Sequence, residues 1–161
     1  IIIDALATGP GDTIVAGATN FNYEKFTEVY EYFEDNAVPK GERWMALSAS
    51  NVRSLMQDDQ FVSTFYTENR ILDRGYFLDY LGINVVTIPQ MTEGGLPKVG
   101  DIRTALAWHK MSTGMAIGHD FRTEINYLPD RTSWLVNGIF SAGAVVIDPR
   151  GVIAIECDES V

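Results

Sequence analysis

The stretch that decides the fold is residues 121–157, FRTEINYLPDRTSWLVNGIFSAGAVVIDPRGVIAIEC. Its first part alternates, with Phe121, Thr123, Ile125 and Tyr127 on one side and Arg122, Glu124 and Asn126 on the other, the period-two pattern of a half-buried strand. Pro129 and Asp130 stop that strand at a polar corner. From Ser133 a longer strand sets Trp134, Val136, Phe140, Ala142, Ala144 and Val146 on one face. The opposite face mixes Asn137 and Ser141 with Leu135, Ile139, Val145 and Ile147, so this strand can be covered on both sides. Asp148-Pro149-Arg150-Gly151 has the Pro and Gly placement of a type I turn, after which Val152, Ile153 and Ile155 are expected to return as a partner strand. No residue set within this stretch is suited to catalysis.

Outward from there, composition fixes the class. A chain of 161 residues can bury roughly 70% of its unfolded surface in one domain, so neither disulfide nor metal is required to hold it. Cys157 is the single cysteine; Glu156 and Asp158 beside it would raise its thiol pKa, and it reads as an unreactive strand residue. A formal charge of −10, with twelve scattered basic residues, argues against a nucleic-acid-binding surface. No apolar run reaches the length of a membrane span, and Ile1-Ile2-Ile3, stopped by Asp4, lacks the features of a signal peptide. A start at Ile-Ile-Ile-Asp-Ala-Leu, without Met, reads as a fragment or a processed product.

The rest of the chain has an α+β order. Residues 7–18 are loop with at most a short strand at 13–16. Asn22 can cap a helix whose Phe26, Val29, Tyr30 and Phe33 fall at helical spacing, with Glu24 in its first turn and Pro39 beyond its end. Residues 43–48 read as a buried strand, and Ser50 is expected to cap a shorter helix through Val52, Leu55 and Met56. Residues 61–67 have strand composition without a pairing signal. Strands are expected at 82–88 and 103–108, with a Gly/Pro loop at 92–100 between them; residues 110–117 fit a short helix or a strand equally.

Catalytic motifs fail on spacing. Around Ser141 a nucleophile elbow would need glycine two residues earlier on a strand-to-helix turn, and Ile139 stands there inside a strand. The two histidines, His109 and His119, form no helical metal pair and read as solvated or hydrogen-bonded loop residues. Glu28, Glu31, Glu34 and Asp35 lie off the apolar stripe of their helix, and the adjacent pairs Asp58-Asp59 and Asp158-Glu159 would diverge on regular structure. No phosphate-binding glycine loop occurs. The three tryptophans, Trp44, Trp108 and Trp134, suit a core or subunit contacts.

The order of these elements resembles that of tailed-phage major capsid proteins. The resemblance rests on the helix at 23–33, the strand at 43–48 leading into the helix at 51–56, Asp58-Asp59-Gln60-Phe61, the strand at 82–88, and Ala105-Leu106-Ala107-Trp108-His109-Lys110. It continues through Met115-Ala116-Ile117-Gly118-His119-Asp120, Pro129-Asp130-Arg131-Thr132-Ser133-Trp134, residues 138–143 and Val145-Val146-Ile147-Asp148, so it spans about Ile2 to Cys157. It implies an α+β, HK97-like capsid fold, with an axial domain at 7–120 and peripheral-domain strands at 1–6 and 121–161. The N-terminal arm, the extended loop and most of the spine helix would be missing. The implied function is mechanical: a subunit of an icosahedral shell around DNA, in the virion after assembly in a bacterial host's cytoplasm. Its partners would be other copies of itself in pentamers and hexamers, with scaffolding and portal proteins, and neither cofactor, membrane nor sequence-specific nucleic acid is implied. No catalytic, cofactor-binding or metal residue carries over. An encapsulin-type compartment shell has the same fold. A small α+β enzyme or binding domain would instead need a site assembled from dispersed residues such as Arg70, Asp73, Arg74 and His119.

Overall fold

A computed structural model describes residues 1–58, 79–91 and 94–160. The helix centred on Phe26 and Phe33 forms as its spacing predicts. Asn22 is extended and its side-chain oxygen accepts a hydrogen bond from the Lys25 amide, which starts helix α2 (Tyr23–Asp35). Phe26, Val29 and Phe33 are buried along one stripe, each adding roughly 2 kcal/mol by removal from water. The helix ends where Ala37 takes a left-handed φ of 52°, with the Val38 amide bonded to Phe33. Buried Arg43 then closes this end, donating to the carbonyls of Val38 and Pro39 and to Glu34, with Phe33 under its guanidinium at 5.3 Å.

Nearby in sequence lie α1 (Ile2–Thr8), β1 (Asp12–Ile14), β2 (Arg43–Ser48) and α3 (Ala49–Gln57). Then come β3 (Asp79–Tyr80), β4 (Ile83–Ile88), β5 (Lys98–Val99), β6 (Ile102–His109), β7 (Thr113–Leu128), β8 (Ser133–Val146) and β9 (Val152–Asp158). Seven strands form one mixed sheet in the order β1-β9-β6-β2-β4-β3, with β5 paired to β6; β7 and β8 form a separate two-stranded ribbon. β1 is parallel to β9 and β2 to β4, while β6 runs antiparallel to both β2 and β9.

The sheet is packed on both faces. Met45, Leu47, Ile83, Val85, Ala105, Ala107, Ile153 and Ile155 meet Phe21, Phe26, Val29, Phe33 and Leu55 on the side of α2 and α3. The small Ala105 and Ala107 leave room for those rings. On the other side Ala46, Leu106, Val152 and Ala154 meet Leu6 of α1 and Leu96 of the loop before β5. Trp44 and Trp108 oppose each other across β2 and β6, both half-buried.

Several expectations need correction. β9 does not return along β8; it is buried on both faces and inserts between β1 and β6, where each apolar side finds a core. The turn before it is a 3₁₀ turn, Pro149–Gly151, that changes sheets instead of closing a hairpin. Of residues 1–6, expected among strands, those from Ile2 onward belong to helix α1, because Ile3, Leu6 and Ala7 share one face against the second core. The strand expected from Phe121 begins at Thr113, after a 3₁₀ turn at Lys110–Ser112, which resolves the ambiguity at 110–117. α3 is capped by Ser48, which accepts from the Asn51 amide, two residues before the expected Ser50. His109 is no loop residue: it ends β6, buried, its Nδ1 accepting from the Met111 amide. Residues 61–67, Asp59, Arg70, Asp73 and Arg74 lie outside the described residues.

Candidate functional site

The alternation read in residues 121–147 places an apolar surface on the ribbon. Antiparallel register sets Tyr127 opposite Trp134, Ile125 opposite Val136, Thr123 opposite Gly138 and Ile117 opposite Ala142, and directly opposed residues share a face. The Tyr127 and Trp134 rings pack at 5.1 Å beside the corner, which is a 3₁₀ turn at Pro129–Arg131 closed by Thr132 at φ 49°. Phe121 lies over the Cβ-free space of Gly138. The register shifts between Ile117 and Arg122 add residues to β7 alone, which twists the ribbon midway. The result is a largely apolar face that the chain itself leaves open, with Phe121 at 69% and Trp134 at 68% exposure.

The opposite face is more polar: Asn126 opposes Leu135, Glu124 opposes Asn137, Arg122 opposes Ile139 and His119 opposes Ser141. Among the described residues, the ribbon is covered at its base. There α1 lies against the end of β8, bordering a cleft of about 460 Å³ whose polar side chains are Asp4 and Thr8. An open cleft with two polar groups on one short helix lacks the convergent donors and acceptors of a catalytic pocket.

A neck joins ribbon to sheet. The Ser112 carbonyl accepts both the Ile147 amide at 2.8 Å and the Asp148 amide at 3.3 Å, tying the outgoing 3₁₀ turn to the returning chain. Gly151 sits so close that an added Cβ would lie 1.8 Å from Ser112 Oγ and 2.7 Å from its Cβ. Lys110 pairs with Glu42 and its amide bonds to the Glu42 carbonyl, anchoring the same neck to the sheet.

Of the residues considered for chemistry, those that the structure describes fall apart in space or are used by the fold. Ser141 and His119 are register partners on the ribbon, with no hydrogen bond between them among the described residues. Cys157 is fully buried in β9, and burial pushes its thiol up to about 12 despite the nearby Lys25 ammonium. Asp58 is engaged by the Tyr23 amide, at the start of α2. Glu159 does not diverge into solvent: its carboxylate accepts from Arg103, Lys98 and Ser48. Burial works against its charge, yet those hydrogen bonds hold its carboxyl below the ordinary glutamate range. No group of three or more His, Cys, Asp and Glu among the described residues could hold a metal ion. Sequence reasoning passed over Lys25, whose position on the capped face of α2 gives no apolar signal, and the helix α1, whose spacing of Ile3, Leu6 and Ala7 is a helical signal masked by the β-branched Ile2, Ile3 and Thr8.

The described residues therefore present an open apolar surface on the ribbon, joined to the sheet by a hydrogen-bonded neck, and bring together no set of groups suited to a reaction. Comparison with known proteins bears on what such a surface meets. The family model described as phage capsid protein matches residues 4–159. No curated protein matches the sequence. Among solved structures, one from Mycobacterium phage Che8 aligns with a TM-score of 0.74 at 15% identity, over 95% of this chain and 55% of that one. The head structure of Helicobacter pylori bacteriophage KHP40 aligns at 0.75 and 12% identity, over 97% and 63%. A holo-SrpI encapsulin complex from Synechococcus elongatus PCC 7942 aligns at 0.61 and 9% identity, over 94% and 55%. The chain thus spans 55–63% of the length of these three structures.

Proposed function

The chain belongs to the phage capsid protein family, and on that premise we propose that it forms the greater part of a coat subunit tiling an icosahedral shell around DNA. Its fold is HK97-like in part, as the likeness to phage head structures shows. The observation that carries the proposal is the ribbon: a long apolar face left open among the described residues and joined to the sheet by a hydrogen-bonded neck. Many copies of such a surface sum to a stable shell, although each contact alone is weak.

In this reading the seven-stranded sheet with α2 and α3 is the axial part, packing around five-fold and six-fold axes as pentamers and hexamers. The ribbon, with α1 at its base, belongs to the peripheral part. A net charge of −10 suits a wall from which packed DNA must later depart. The role is mechanical and needs neither catalysis nor cofactor. Scaffolding and portal proteins are the expected partners during assembly in the host cytoplasm, and the virion is where the subunit ends.

A second reading, an encapsulin-type compartment, is favoured by the encapsulin likeness. One experiment separates the two: negative-stain microscopy of the full-length gene product with analysis of particle contents. Shells holding nuclease-protected DNA support the coat subunit. Shells holding a folded enzyme establish the compartment, and the absence of particles at every concentration and salt overturns both.

A further inference from the structure

Beyond β9 the chain makes a contact that the packing of the sheet does not require. Glu159 has a side chain only 7% exposed, and three elements converge on it. Arg103 of β6 donates to Oε1 at 2.7 Å, Ser48 at the end of β2 donates to the same oxygen at 2.9 Å, and Lys98 of β5 donates to Oε2 at 3.0 Å. The Glu159 amide donates to the Asp101 carbonyl in the turn between β5 and β6. Ser48 Oγ meanwhile accepts from the Asn51 amide, so one hydroxyl links the start of α3 to this carboxylate.

We propose that Glu159 is a charge-controlled strut that fixes the hairpin of residues 98–102 against the start of α3, and that losing its charge frees the hairpin. The hairpin has little cohesion of its own. Its ladder is two residue pairs, Lys98 with Arg103 and Val99 with Ile102, supported by the Thr104 amide on the Pro97 carbonyl. Its tip carries Val99, at 81% exposure, so the strut sets how an apolar knob is presented to any neighbour.

The charged groups facing the strut favour its ionised form. Arg103 and Lys98 are cations, and no other carboxylate bonds either of them among the described residues. Asp101 contributes a main-chain carbonyl; Asp158 turns its carboxylate to the Ser160 amide and hydroxyl. Cys157, buried on the same strand, stays a neutral thiol. Neutralising Glu159 would leave the Arg103 guanidinium, 5% exposed, with neutral acceptors and no anionic partner among the described residues.

The test is amide hydrogen exchange, corrected for intrinsic rates, on the full-length gene product at neutral pH. Glu159→Gln is expected to speed exchange at residues 98–104 and at Asn51 at least tenfold, with the central amides of β2, β6 and β9 within twofold of the parent. Acidifying the parent should reproduce the same local pattern, and the variant should no longer respond. Unchanged hairpin exchange, or an equal rise across the whole sheet, overturns the proposal. Should Glu159→Gln fail to fold, Lys98→Met gives a milder version: a local rise of threefold or more supports the strut, and none overturns it.

Discussion

Lys25 shows how a single side chain stands in for a piece of secondary structure. Its ammonium, buried in the sheet's main core layer, donates to the carbonyls of Ala16 and Thr19 at 2.8 Å and Glu156 at 3.0 Å, joining the loop before α2 to β9. Burial lowers its pKa, so the three bonds are made against a desolvation cost. Lys25→Met should remove all three donors and leave the carbonyls dry, costing about 3 kcal/mol in urea unfolding, as buried unsatisfied groups do. Cys157 gives the converse case. With its thiol at about 12 and no exposure, it should resist iodoacetamide at pH 8 while folded and react at once when urea unfolds the chain. Because its native pKa lies above the unfolded one, stability should fall as pH rises past about 8.5, where the unfolded thiol ionises first. Glu159 has the opposite sign. Its native pKa is depressed, so its contribution is full above the ordinary glutamate value and is lost as pH falls below about 4.

At the scale of elements, what could be read locally came through. α2 carries its own cap and stripe, and Asn22→Ala should cost about 1 kcal/mol of stability in thermal or urea melts. β2, β4 and β6 were legible because runs of apolar residues between turn residues report burial directly. The partner of β9 was not, since pairing depends on which edge offers two cores, and no local pattern encodes that. α1 was missed for a related reason: three β-branched residues lower helix propensity, and only the packing of Leu6 against Ala46, Leu106 and Val152 pays it back. Ser48 and Ser50 are equally good caps by composition, and the geometry at the end of β2 selects the first. The neck was invisible in sequence beyond its Pro and Gly, yet it is open to test. Gly151→Ala should destabilise the fold by about 2 kcal/mol through the clash with Ser112, while Gly143→Ala, in open space on β8, should leave stability within about 0.5 kcal/mol.

For the molecule as a whole, the ribbon separates folding from assembly. Its two faces were legible from alternation alone, and β8 reads as a strand that can be covered on both sides; among the described residues its apolar face stays open. Sequence period tells which side chains share a face; it does not tell whether the cover comes from the same chain. Trp134→Ser should therefore leave the melting temperature of the isolated chain within about 2 °C, since an exposed side chain adds little to stability. In the full-length protein the same change should cut particle yield at least tenfold by sedimentation. The place of β9 has a further consequence, in time. It bridges β1 and β6, and the Thr19 carbonyl and Lys25 wait on Asp158 and Glu156. A ribosome that has made residues 1–150 holds a sheet without the strand that joins the edge strand β1 to β6, at elongation speeds of roughly 5–20 residues per second. The sheet consequently cannot be completed until translation has passed Asp158, however early its other strands have emerged.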